Sequence, residues 1–250
     1  MHVAALYDIH GNLPALEAVL ADVEEIGVDL IVVGGDVAIG PMPRQTIEAL
    51  HELNDRCRFV RGNGDRALVD AHDGATGIVD TPDDALMVEQ LRPDHREFLA
   101  TFEEAVVIDV GGLGSIRFCH GSPRSDEEII TALTSEERLS HVLAGVDERL
   151  IVCGHTPSQF DRAAGARRVV NAGSVGWPYE REPGAYWALF GPEVQLRRTA
   201  YDLDDAAGRI RASGWPGADT FVTENVLTTP DPDETAEHFE RIALERERVP

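Results

Sequence analysis

The feature that most constrains the fold is a recurring unit: a short unbroken apolar run, a polar turn, then a stretch of helical periodicity. "HVAALY" runs into "DIHGN"; "DLIVVGGD" and "CRFVRGNGD" repeat the plan over residues 29–36 and 57–65. Continuous apolar strands alternating with helices indicate a sheet covered on at least one face, and parallel here. After the first run, Asn12 is placed to cap a helix and Pro14 suits its first turn. Leu13, Leu16, Val19, Leu20 and Val23 then recur at three-to-four spacing, so one face of that helix is buried. A second helix is predicted over 44–54.

The remainder is mixed. Residues 66–104 read as mostly helical, with an Asp/Gly-rich break at 72–84 suited to a lid loop. "AVVIDV", a glycine-rich turn and "SIRFCH" read as a hairpin, and a polar helical stretch over 125–144 leads to "RLIVCGH". "ARRVVNAGSVG" and "AYWALFGPEVQLRRTAY" supply further hairpin pieces. Residues 201–250 form a C-terminal helical extension of two or three helices, the last being an amphipathic helix over 232–247 through Ala236, Phe239, Ile242 and Ala243. With no repeat and no linker, the 250 residues are expected to form one α/β domain.

Composition narrows the partners. Acids outnumber bases by 45 to 22, a net charge of −23, and every base is Arg. That balance argues against an extended nucleic-acid groove or an anionic membrane surface. No run reaches the roughly 20 apolar residues that span a bilayer. Cys57, Cys119 and Cys153 lie in or beside apolar runs and form no CxxC pair, as expected of buried free thiols in a cytoplasmic protein.

Five turns place a metal-competent side chain directly after an apolar run: Asp8 with His10, Asp36, Asn63, His120 and His155. Singly, each has a plainer reading as a cap or turn residue. Together they use three of the nine histidines at the ends of different elements, where loops of an α/β sheet converge on a ligand. Carboxylate, imidazole and amide donors suit a first-row divalent ion such as manganese, iron or zinc. A carboxylate shared between two ions can support a water nucleophile for phosphoryl chemistry.

Asp8-x-His10, Gly-Asp36, Gly-Asn63, His120-Gly and Gly-His155-Thr, in this order and followed by "NAGSVG" (171–176), resemble the calcineurin-like metallophosphoesterase superfamily, in particular its small bacterial and archaeal phosphodiesterase-like members. The resemblance implies a four-layer α/β/β/α sandwich of two mixed sheets flanked by helices. It also implies two divalent transition-metal ions, manganese foremost, with iron, zinc or nickel as alternatives. Asp8, His10 and Asp36 would hold the first ion. Asp36 would bridge to a second held by Asn63, His120 and His155.

Two positions depart from the family pattern. Pro157 stands where the second histidine of Gly-His-x-His completes the first metal, and Gln159 is a candidate to fill the gap. Gly64 stands where many relatives carry a histidine that assists the leaving group, which favours phosphodiesters or anhydrides over alkyl monoesters. His72 is a candidate substitute, and Asp65 a candidate to orient the Asn63 turn. Arg124 and Asn12 are the candidate substrate contacts, with Asp36, Asn63 and His120 in the catalytic role. Ser174 has no base placed beside it, and Trp177, Tyr179, Tyr186 and Trp187 read as core or rim. The expected function is metal-dependent hydrolysis of a small phosphodiester or nucleotide by metal-activated hydroxide, without a covalent intermediate. The alternative is a catalytically silent member that serves as a protein-interaction platform or nucleotide sensor. A homodimer is compatible with either.

Overall fold

The computed structural model describes residues 1–75 and 81–247. Strand β1 (Val3–Leu6) leads to helix α1 (Leu13–Ile26), β2 (Leu30–Val33) to α2 (Pro43–His51), and β3 (Cys57–Phe59) to α3 (Asn63–His72). Helices α4 (Pro82–Gln90) and α5 (Pro93–Leu99) precede the hairpin β4 (Ala105–Val110) and β5 (Gly114–Cys119). Then come α6 (Glu136–Val142), β6 (Leu150–Cys153), β7 (Phe160–Ala164), β8 (Arg167–Asn171), β9 (Ala185–Phe190) and β10 (Val194–Thr199). The chain closes with α7 (Leu203–Ala212), α8 (Ala218–Phe221) running into a π-helical turn to Val226, and α9 (Pro232–Glu247).

The strands form two mixed five-stranded sheets, ordered β10-β9-β1-β2-β3 and β4-β5-β6-β8-β7. In the first, β1 pairs parallel with β2 and β2 with β3; in the second, β5 pairs parallel with β6. Alternation along each strand divides its side chains between two cores. Val3, Ala5, Tyr7 and Val32 meet Ile116, Phe118, Val152 and Phe190 between the sheets. Ala4, Leu6, Ile31 and Val33 face Leu16, Val19 and Ile47 of the helical layer. On the far side Cys119, Ile151, Cys153 and Val169 face Leu139 and Val142 of α6. Both sheets are thus covered on two faces, which is why their inner strands are unbroken apolar runs. The result is the α/β/β/α order of layers.

Asn12 caps α1 by accepting from the Ala15 amide at 3.2 Å, and Gly27 ends it in a left-handed conformation. Helix α2 stops at His51, short of the helix expected to 54; residues 52 and 53 form a turn, and a 3-10 turn runs from Asn54 to Arg56. The helix expected over 125–144 is realised only as α6; the chain before it is turns tied by Ser122, Thr131 and Thr134 hydroxyls. Of the predicted lid, residues 76–80 lie outside the described residues. The three cysteines are buried and free, and burial pushes the Cys57 and Cys119 thiols up to about 12. Among the described residues no helix is long and apolar enough to cross a membrane.

Candidate metal centre

Because β1, β2 and β3 run parallel in one sheet, and β5 and β6 in the other, their carboxyl ends come out at one edge of the sandwich. Asp8 and His10 follow β1, Asp36 follows β2, Asn63 opens α3 after β3, His120 follows β5 and His155 follows β6. Main-chain bonds lace these turns together: Asp8 N–H donates to Gly35 O at 3.1 Å, His10 N–H to Asp36 O at 3.0 Å, and Gly154 N–H to His120 O at 2.8 Å.

Among the described residues, the non-glycine positions at positive φ are Asp8 (52°), His10 (49°), Asp36 (52°) and His155 (64°), all of them candidate ligands. Such conformations cost of order 1–3 kcal/mol each, and they cluster where the surrounding structure imposes them for a purpose. The side chains meet as two groups of three. Asp8, His10 and Asp36 form one, and Asp36, His120 and His155 the other, with donor atoms within 4.8 Å of one another in each. Asp36 belongs to both.

Four of the donors, His120, His10, Asp36 and Asp8, are each fixed by a bond to the main chain. His120 Nδ1 lies 2.8 Å from Gly34 O and His10 Nδ1 lies 3.0 Å from Ile39 O, so both rings present Nε2 to the site. Asp36 Oδ1 accepts from Gly64 N–H at 2.7 Å, and Asp8 Oδ2 from His155 N–H at 3.0 Å. Asp65 fastens two turns at once: its carboxylate accepts from Asp36 and Gly62 amides at 2.9 Å and from Val37 at 3.0 Å. Burial and the neighbouring Asp36 charge push that carboxyl up to about 7.

The electrostatics are those of a site short of positive charge. Burial opposes a charge on Asp36, but His120 outweighs it and holds the carboxyl well below the usual range. Burial likewise opposes a proton on His120, and Asp36, whose Oδ2 is 3.4 Å from Nε2, overrides it and lifts the imidazole to about 10. For His10 the burial penalty is again overcome, here by Asp8 and Asp36, and its pKa rises. His155 goes the other way, lowered by burial and by His120. Two donor atoms of the candidate ligands, His120 Nε2 and Asn63 Oδ1, are buried with no hydrogen-bond partner among the described residues. A divalent cation would satisfy both, and the mixed donor set fits one.

Several sequence-predicted residues lie elsewhere. Asn12 is fully buried, with its carbonyl on Ala15 N–H and its amide on Gly176 O at 3.0 Å, so it is a structural cap with no group left for a substrate. The Arg124 fork is closed on Glu128, with Nε at 2.7 Å from Oε2. Gln159 Nε2 faces the carbonyls of Ala172, Trp187 and Arg197 at 2.9–3.2 Å, pinning one sheet to the other, and fills no gap beside Pro157. Pro157 itself is buried and accepts from Tyr179 N–H at 3.1 Å. His72 ends α3, about 13 Å along the helix from Asn63. Ser174 donates to Asp8 O at 2.7 Å and accepts from Trp177 N–H, a brace and not a nucleophile. The Trp177 ring edge stands against His10, centroids 5.1 Å apart, a contact that no local spacing announces.

A sequence profile of the calcineurin-like phosphoesterase superfamily domain matches residues 1–190. An uncharacterized protein of Methanocaldococcus jannaschii is 26% identical over 249 residues, covering 88% of this chain and 97% of its own. Among solved structures, a metallophosphoesterase from Sphaerobacter thermophilus superposes with a TM-score of 0.71 at 26% identity, over 89% of this chain and 98% of that one. A hypothetical protein from Pyrococcus horikoshii does so at 0.76 and 25% identity, over 89% and 96%. The matched residues span both sheets as far as β9, and the chain belongs to the calcineurin-like phosphoesterase superfamily.

Proposed function

We propose that this protein is a metal-dependent phosphoesterase that hydrolyses a small phosphodiester or nucleotide at a dinuclear centre. The observation that carries the reading is the pair of donor groups sharing Asp36, together with the unpartnered His120 Nε2 and Asn63 Oδ1. Asp8, His10 and Asp36 would hold one divalent ion, and Asp36, Asn63, His120 and His155 the other, manganese being the first choice. Such ions supply a water nucleophile near neutral pH and offset phosphoryl charge. Asp36 is the residue on which the site depends: it is ionised, fixed through Gly64 N–H and common to both groups. His120, locked by Gly34 O, keeps Nε2 turned toward it.

The residues on hand also select the chemistry. Gly64 offers only its amide, and that is spent on Asp36, so the chain places no acid here for a poor leaving group. Phenolates, phosphates and a ribose oxygen next to a hydroxyl depart more easily without one. Direct attack by water suits the site better than a covalent route, since Ser174 is committed to Asp8 O and burial pushes the Cys153 thiol well up.

The test is metal content per chain, paired with hydrolysis of bis-p-nitrophenyl phosphate with and without Mn²⁺. Two ions per chain and Mn²⁺-dependent turnover that His155→Ala and Asp36→Asn abolish would support the reading. No bound metal and no turnover in excess Mn²⁺ would overturn it in favour of a silent interaction platform.

A further inference from the structure

Helix α9 lies beyond the residues matched by the family profile and packs unlike the other helices. Of its 16 residues only Ala243 is fully buried. Polar contacts hold it down. Arg138 Nε donates to Glu247 at 2.6 Å, and the Thr131 and Thr134 hydroxyls donate to Glu240 at 2.8 and 2.7 Å. Arg181 pairs with Asp233 at 2.6 Å, and Phe239 stacks on Tyr179 with centroids 6.3 Å apart. The C-terminal half of α9 is thereby laid along the loop that follows the ligand His120.

Between that loop and α9 runs a groove of about 480 Å³. Arg124, Arg138 and Arg246 line it, with Glu127, Glu128 and Glu247. The carboxylates are all engaged: Glu128 by Arg124, Glu247 by Arg138, and Glu127 by Arg66 at 2.6 Å. Arg246 differs. It is exposed, and among the described residues no carboxylate pairs with it; its one hydrogen bond runs from Nη1 to the Glu127 carbonyl at 3.2 Å. In a chain of 45 acids and 22 bases, Arg246 is left without a carboxylate beside the loop that follows His120. Glu127, whose carbonyl Arg246 holds, is paired in turn with Arg66 on α3, the helix that Asn63 opens.

We infer that Arg246, on the C-terminal helix, is a substrate-recognition residue that grips a second phosphate group carried by the substrate beyond the one hydrolysed. A guanidinium fork suits a phosphate bidentately, and the groove is of a size for a nucleotide-scale group. The inference rests on the phosphoesterase reading for the identity of the ligand, and α9 then becomes a working part of the site.

The experiment compares two chromogenic substrates in excess Mn²⁺: the p-nitrophenyl ester of thymidine 5′-phosphate with a free 3′-hydroxyl, and the same ester with a 3′-phosphate. Arg246→Ala is expected to lower kcat/KM about tenfold on the 3′-phosphorylated ester, through KM, and to change the other by less than about twofold. Arg246→Lys should recover only part of the loss. An equal effect on both esters, or none, overturns the inference. If the parent protein turns over neither ester, the hydrolytic reading fails alone. Calorimetric binding of deoxythymidine 3′,5′-bisphosphate to the Mn²⁺-loaded protein then decides. About tenfold weaker binding by Arg246→Ala sustains the role of Arg246, and unchanged binding overturns it.

Discussion

Gly62→Ala is the substitution that tests the geometry of the centre most directly. Gly62 sits between β3 and the candidate ligand Asn63, and a Cβ built there meets Asp36 Oδ1 at 2.2 Å, Asp36 N at 2.4 Å and Asp36 Cγ at 2.9 Å. Reaching the 3.4 Å of ordinary contact requires Oδ1 to retreat from 2.2 Å, a movement of about 1.2 Å. Rotating the side chain away gives no escape, because the backbone nitrogen is also too close and is fastened to Asp65 Oδ2 at 2.9 Å. Overpacking of this kind costs about 1–3 kcal/mol. In a chain of this length that lowers Tm by about 2–12 °C. The functional loss should be larger in proportion, since Asp36 serves both donor groups and a displacement of about 1 Å in a reacting site costs on the order of 100-fold. Scanning calorimetry without metal and Mn²⁺ titration with bis-p-nitrophenyl phosphate turnover read the two effects separately. A variant that melts within about 1 °C of its parent and binds Mn²⁺ with parental affinity would refute the close approach of Gly62 to Asp36.

Three further outcomes are expected. Gly208→Ala, in α7 where a Cβ meets open space, should stabilise by about 0.5–1 kcal/mol and leave metal binding unchanged, which makes it the control for Gly62→Ala. His120 has a folded-state pKa raised to about 10, so its contribution is complete below its unfolded value of about 6.5. Thermal melts of the metal-free protein should therefore decline as pH rises from about 6.5 to about 10, and Mn²⁺, which competes with that proton, should bind more tightly over the same range. A flat metal-free profile there would contradict the His120–Asp36 pairing. Arg138, buried and set against Glu128, Glu240 and Glu247, anchors α9; Arg138→Ala should cost about 3 kcal/mol and expose α9 to limited proteolysis before the rest of the chain.

Local pattern carried the reading of the chain where the pattern is set by neighbours in sequence. The Asn12 cap, the apolar face of α1 and the bounds of α9 follow from spacing and end signals alone. The stretch before α6 misled for a physical reason. Its polar residues suit a helix face, yet Ser122, Thr131 and Thr134 spend their hydroxyls on nearby amides, and Arg66 draws Asp126 and Glu127 onto α3. Arg124 met a carboxylate at Glu128, whereas the two acids nearer to it in sequence went to Arg66.

The sequence by itself determined which donor types follow which strands, because each ligand turn sits within a few residues of the apolar run that aims it. Tertiary structure alone decided which polar groups stay free. Gln159 is consumed by carbonyls up to 38 residues away, Ser174 by Asp8 at a separation of 166, and Arg246 is left over because its neighbours pair with one another. It also decided that Asp36 is shared, since that depends on parallel strands in two different sheets ending at one edge. Hydrogen bonds and ion pairs are satisfied by whatever the fold brings within about 3 Å, and no spacing along a chain specifies that.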